Sequence, residues 1–143
     1  MEEGSTDLTE IWNRFSSAAR TFKRRLEIDL GQVNLKPIEL KVLNLLSERP
    51  EIPINLIADK TEVTGPWITE IVSELERKGY AKKTRNPSDK RMIWVSITEE
   101  GREALIGGMR IFQTDVRMAL SRLSQSNILE FRRILEEIES SLK

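Results

Sequence analysis

Neither cysteine nor histidine occurs among the 143 residues. Without thiolates there is no disulfide, no cysteine nucleophile and no cysteine redox switch. Without imidazoles as well, Ser-His-Asp and Cys-His triads and thiolate or imidazole metal sites are excluded, and no cofactor or metal is expected. An enzyme would be left with carboxylate or lysine chemistry alone. Aromatic residues make up only 6% of the chain, and no apolar run approaches the roughly 18 residues that a membrane span needs. The opening Met1-Glu2-Glu3-Gly4-Ser5-Thr6 is acidic and lacks the basic and apolar regions of a secretory signal. A cytoplasmic chain with no membrane partner is therefore expected.

An excess charge of either sign is also missing, since 23 basic groups face 23 acidic ones. The balance hides a segregation. Residues 37–76 carry 8 acidic groups against 3 basic ones, whereas residues 77–91 carry 7 basic groups against Asp89 alone. One short basic block in a neutral to acidic chain reads either as a solvated charged turn or as the footprint of a local phosphate contact.

Apolar periodicity sets out the elements around that block. Thr6 caps a helix in which Leu8, Ile11, Trp12, Phe15, Ala19, Phe22, Leu26 and Leu30 fall mostly at three- and four-residue steps, with Gly31 as its stop. Pro37 opens a second helix through Ile38, Val42, Leu43 and Leu46, and Pro53 a short third one to Lys60-Thr61. Thr64-Gly65-Pro66 starts a fourth, with Ile68, Ile71, Val72 and Leu75 at i, i+3, i+4 and i+7 and Gly79 at its end. A short helix, a tight connection and a helix with one polar face form a helix-turn-helix. The period then becomes two. Tyr80 to Arg85 and Met92 to Ile97, joined by Asn86-Pro87-Ser88-Asp89, predict a β-hairpin with Ile93, Val95 and Ile97 on its packed face. Thr98 caps a long helix through Leu105, Met109, Phe112, Val116, Ala119 and Leu123, locally weakened by Gly107-Gly108. A last helix through Ile128, Phe131, Leu135, Ile138 and Leu142 follows Ser124-Gln125-Ser126. The fold class predicted is mainly α with a small β-hairpin wing, a winged helix-turn-helix in an α+β arrangement. Its segments are an N-terminal dimerisation helix at 1–34, a DNA-binding lobe at 35–98 and C-terminal dimerisation helices at 99–143.

With this order in place the chain resembles the MarR family of winged-helix transcription regulators along nearly its whole length. The specific part is Leu75-Glu76-Arg77-Lys78-Gly79-Tyr80, then Asp89-Lys90-Arg91, then Val95-Ser96-Ile97-Thr98-Glu99-Glu100-Gly101. Val63 to Val72 fits the family's reading helix in its apolar positions and in Thr64 and Thr69. Two positions depart from it: Glu70 stands where the family often has a basic residue, and Trp67 where it has a small polar one.

The resemblance implies binding of double-stranded DNA. Asp89 and Arg91, two apart in an extended strand, point to one side, so the carboxylate orients Arg91 for a narrow minor groove. Lys82, Lys83, Arg85 and Lys90 would contact phosphates; Arg77 and Lys78 read equally as such contacts or as cations favouring a helix C-terminus. Thr64, Gly65, Pro66, Trp67, Thr69, Glu70, Ser73 and Arg77 are the outer residues of the reading helix. Thr69 reaches base edges, Glu70 accepts from cytosine, and the Thr64-Gly65 backbone meets a phosphate. Trp67 either contacts a base or folds back on a neighbouring helix. The apolar stripes at Leu8, Ile11, Phe15, Phe131, Leu135, Ile138 and Leu142 exceed what one lobe covers. They imply a homodimer reading a pseudo-palindrome, with reading helices about 34 Å apart. A small aromatic effector is expected near Trp12, Phe15, Arg20, Phe22 and Phe112, although such aromatics at helical spacing also read as core. The competing function is a winged-helix protein-interaction module without specific DNA binding, which the acidic reading helix would suit.

Overall fold

A computed structural model describes residues 7–86 and 88–143, with the side chains of Asn86 and Lys90 outside that description. The elements are α1 (Leu8–Gly31), α2 (Pro37–Leu46), β1 (Ile52–Pro53), α3 (Ile54–Thr61), α4 (Gly65–Arg77), β2 (Ala81–Asn86), β3 (Asp89–Ile97), α5 (Glu99–Ala119) and α6 (Gln125–Leu142). Among the described residues no helix is long and apolar enough to cross a membrane.

Asp7 caps α1, its carboxylate accepting from the Glu10 N–H at 3.1 Å; the expected cap, Thr6, lies outside the described residues. Only the C-terminal end of α1 enters the core, through Leu26 and Leu30. Leu30 shares one buried cluster with Leu35, Leu40, Leu43 and Leu46 of the α2 region, Ile57 of α3, Ile68, Ile71, Val72 and Leu75 of α4 and Val95 of β3. The apolar periodicity of α2 and α4 thus becomes their buried faces, each fully buried side chain worth roughly 1.5–3 kcal/mol.

The sheet has three strands, in the order β1-β3-β2, all antiparallel. The hairpin expected from sequence is present, but its returning strand begins at Asp89 rather than Met92, because an irregularity between Arg85 and Asn86 lets Asn86 pair with Asp89. The turn narrows accordingly, and its Pro87 lies outside the described residues. β1 went unforeseen: Ile52 pairs with Val95 and Pro53 with Trp94. Two residues are too few to carry a period-two pattern, and a proline is tolerated here because the strand lies at the sheet edge.

Thr98 joins the sheet to α5. Its hydroxyl donates to the Gly79 carbonyl at 2.6 Å and accepts from the Gly101 N–H at 3.0 Å. Gly108, expected to weaken α5, is instead packed against Leu40 of α2 and Leu35 just before it. A Cβ there would lie 2.6 Å from Leu40 Cδ1 and 3.0 Å from Leu35 Cδ1. Nothing comparable surrounds Gly107. Ser124 caps α6 by accepting from the Asn127 N–H at 3.1 Å, and no residue of α6 is buried.

Candidate nucleic-acid interface

Four inward positions of α4 face the core, and its remaining surface is turned outward. Thr64, Gly65, Pro66, Trp67, Thr69, Glu70, Ser73 and Arg77 are all exposed. The helix starts after Thr64, whose backbone has the extended geometry of a cap but whose side chain makes no capping hydrogen bond. First-turn N–H groups therefore stay available to an acceptor outside the chain. The Thr69 hydroxyl donates back to the Gly65 carbonyl at 3.0 Å, which leaves its lone pairs and methyl group outward. Gly79, at φ +83°, turns the chain from the end of α4 into β2, a conformation that a side chain would disfavour.

The wing is the hairpin of β2 and β3. The Arg91 side chain is 98% exposed, and its Nε lies 3.8 Å from Asp89 Oδ1, which also accepts the Arg91 backbone N–H at 3.1 Å. Asp89 thus holds the Arg91 backbone and lies within ion-pair distance of its guanidinium. Lys82 and Arg85 are exposed; the Lys90 side chain lies outside the described residues.

Several cations of the basic block are already engaged. Lys83 Nζ donates to Ser73 Oγ at 3.0 Å and lies 3.5 Å from Glu76 Oε1, and its backbone N–H donates to Glu76 Oε2 at 3.3 Å. Arg77 forms a two-pronged pair with Glu74, Nε to Oε2 at 2.9 Å and Nη2 to Oε1. This contact holds the Glu74 carboxyl below, and the Arg77 guanidinium above, its ordinary pKa. Lys78, left between two readings by the sequence, is buried against Glu39 at 2.8 Å. Its role is inside the lobe. Among the described residues Lys82 and Arg85 have no ion-pair partner, so the outward charge is concentrated there and at Arg91.

Trp67 is half-exposed and lines a cavity of about 520 Å³ with Lys23, Lys36, Ile38 and Lys78. Its indole therefore lies along the junction of α1 and α2 as well as on the outer face of α4. The five residues expected around an effector do not gather into one site. Trp12 and Phe15 form one edge-on pair, with centroids 5.5 Å apart, on the exposed half of α1; Phe22 and Phe112 form another, at 6.1 Å, where α1 meets α5. Of the five, Phe22 lines the cleft of about 690 Å³ between α1 and α5, which takes its cations from Arg14 and Arg25 rather than from Arg20. Helical spacing alone could not separate the two pairs. Leu8, Ile11, Phe15, Phe131 and Leu142 remain exposed, with Leu135 and Ile138 half-buried.

Residues 35–93 match the model of the MarR family. The HTH-type transcriptional regulator MhqR of Bacillus subtilis is 31% identical over 86 residues, which cover 60% of this chain and 59% of that protein. The chain thus matches less than two thirds of this relative's length. BldR, a transcriptional regulator from Sulfolobus solfataricus, superposes with a TM-score of 0.81 at 25% identity, covering 99% of both chains. A mutant MarR from E. coli, solved in complex with operator DNA, superposes with a TM-score of 0.80 at 19% identity, over 94% of this chain and 99% of that one.

Proposed function

We propose that the chain, whose residues 35–93 match the model of the MarR family, is a transcription regulator of that family that binds duplex DNA. The family is one of DNA-binding regulators rather than enzymes, and a similarly folded protein has been solved on operator DNA. In this reading α4 enters the major groove and the hairpin of β2 and β3 reaches the adjacent minor groove. The observation that carries it is the fully exposed Arg91, paired with Asp89 at the start of β3, beside the hairpin turn. A narrow, A·T-rich minor groove concentrates negative potential and attracts such a side chain.

The same reading includes a homodimer built from segments 1–34 and 99–143 around the lobe at 35–98. Its support is the apolar surface of α1 and α6, exposed by Leu8, Ile11, Phe15, Phe131 and Leu142; such surface is ordinarily covered in a stable assembly. Two copies present two reading helices to a pseudo-palindrome. An aromatic effector is part of the reading too, with the cleft lined by Phe22, Arg14 and Arg25 offering it an apolar wall and two cations.

Selection of duplexes from a random pool tests the proposal. Enrichment of paired, inverted half-sites is expected. Failure to enrich any sequence, with random duplex bound no better than a neutral polymer, contradicts it and leaves the protein-interaction reading.

A further inference from the structure

The polar cluster around Lys78 lies inside the lobe, away from the outer face of α4. Its side chain and that of Glu39 are only 7% and 2% exposed, with Nζ 2.8 Å from Glu39 Oε1. Lys78 Nζ also donates to the Asn34 carbonyl at 2.8 Å, and Glu39 Oε1 accepts the Lys36 backbone N–H at 2.8 Å. Glu39 Oε2 is buried without a hydrogen-bond partner among the described residues.

An under-satisfied buried ion pair is a poor way to gain stability. Desolvation offsets most of its attraction, and apolar replacements of similar volume are often neutral or stabilising. What such a pair supplies is direction: apolar contacts slide, whereas two short charge-assisted hydrogen bonds fix one geometry. The geometry fixed here joins three places far apart in sequence. Asn34 forms the turn that leaves α1, with φ +57°; Glu39 lies in the first turn of α2; Lys78 closes α4 immediately before Gly79 at φ +83°, where the wing begins. The cavity of about 520 Å³ borders Asn34, Lys36 and Lys78 and reaches Trp67 on α4, so the cluster is not locked in place by close packing on every side.

We propose that Lys78, held between Glu39 and the Asn34 carbonyl, is a positioning residue that fixes the reading helix and the root of the wing relative to α1, and so sets the half-site spacing that the protein selects. The inference rests on the DNA-binding reading for its functional half. The lever is sufficient. The 13 residues of α4 span roughly 20 Å, so a tilt of about 10° at Lys78 moves the far end by about 3.4 Å, one base-pair step.

The test uses full-length protein carrying Glu39→Gln with Lys78→Met, in which residue 39 keeps an acceptor for the Lys36 N–H. Spin labels at Arg24→Cys and Glu70→Cys, in a chain with no cysteine of its own and diluted with unlabelled protein, report the distance from α1 to α4 within one subunit. A shifted or broadened distribution in the double variant is expected, and an unchanged one overturns the inference. Duplexes selected by the wild type are then compared with the same half-sites separated by one more base pair. The double variant is expected to lose about tenfold of the wild-type spacing preference, while its thermal midpoint and its affinity for unrelated duplex stay close to wild type. Retained spacing preference overturns the inference, as does a loss that merely follows a collapse of the thermal midpoint. A wild type that enriches no duplex overturns the DNA reading and the spacing half of the inference with it, while the label distance separately decides whether Lys78 positions α4. If the double variant does not fold, Glu39→Gln alone carries the same two measurements, with a smaller shift expected.

Discussion

Lys83 of β2 donates from Nζ to Ser73 Oγ of α4 at 3.0 Å, linking the hairpin to the helix proposed to read DNA. Glu76 also accepts the Lys83 backbone N–H at 3.3 Å, a second link between helix and strand. Both side chains were expected to touch DNA independently. For the proposed two-groove contact, their pairing would lower the ordering cost of binding.

The cations without ion-pair partners should therefore carry the salt dependence. Lys82→Ala and Arg85→Ala are each expected to weaken binding to all duplexes alike and to lower the salt slope by about one. Arg77→Ala, which removes a guanidinium already neutralised by Glu74, should lower it by less. Fluorescence anisotropy across a salt series separates the two classes. Equal slopes for Lys82→Ala and wild type would contradict this assignment.

If the proposed dimer forms through these faces, Phe131→Glu and Ile11→Glu should each give a monomer in analytical ultracentrifugation without loss of helix content. Neither side chain is buried within its own chain, so the subunit core is untouched while a charge enters the apolar face. A sedimentation coefficient unchanged by either substitution would argue against these faces as the interface.

Asp115 of α5 is 4% exposed, and its carboxyl is pushed above the ordinary range first by burial, then by a hydrogen bond and the charge of Asp29, with Arg25 opposing. A carboxyl whose pKa is higher in the folded than in the unfolded chain contributes most at acidic pH. That contribution is lost as pH rises from the unfolded value through the raised one. Asp115→Asn should thus raise the thermal midpoint at neutral pH, with the advantage shrinking as the buffer is acidified through the carboxylate range. A constant difference across that range would show that folding does not raise the Asp115 carboxyl.

The two adjacent glycines of α5 should respond in opposite directions. Gly107→Ala gains helix propensity, on the order of 0.5–1 kcal/mol. Gly108→Ala forces its Cβ against Leu40 and Leu35 and should cost about 1–3 kcal/mol. Urea denaturation measures both.

The parts of the fold visible in the sequence were those with a period. Ile68, Ile71, Val72 and Leu75 declared the buried face of α4, and the change to period two at Tyr80 declared the hairpin. Asp89 and Arg91 met as their spacing in a strand requires. Contacts that depend on distant segments were hidden. β1 needs β3 to exist, and Gly108 reads as a helix breaker until α2 is placed against it. Lys78 and Glu39, 39 residues apart, each look solvated alone. One local sign was present: Glu39 stands three and four residues before the buried Val42 and Leu43, on the inward side of α2. The aromatic residues stayed ambiguous, since helical spacing could not distinguish one pocket from the two separate pairs, Trp12 with Phe15 and Phe22 with Phe112.

The central claim is that an Arg91 oriented by Asp89 carries the wing's grip on DNA, and its most direct measurement is the affinity of wild type and Arg91→Ala for a selected duplex across a salt series. The account predicts steep salt dependence for the wild type. It predicts that Arg91→Ala loses about 1–3 kcal/mol of affinity, most of it for duplexes with A·T-rich flanks. Equal affinity and equal slope for the two proteins on those duplexes would contradict it.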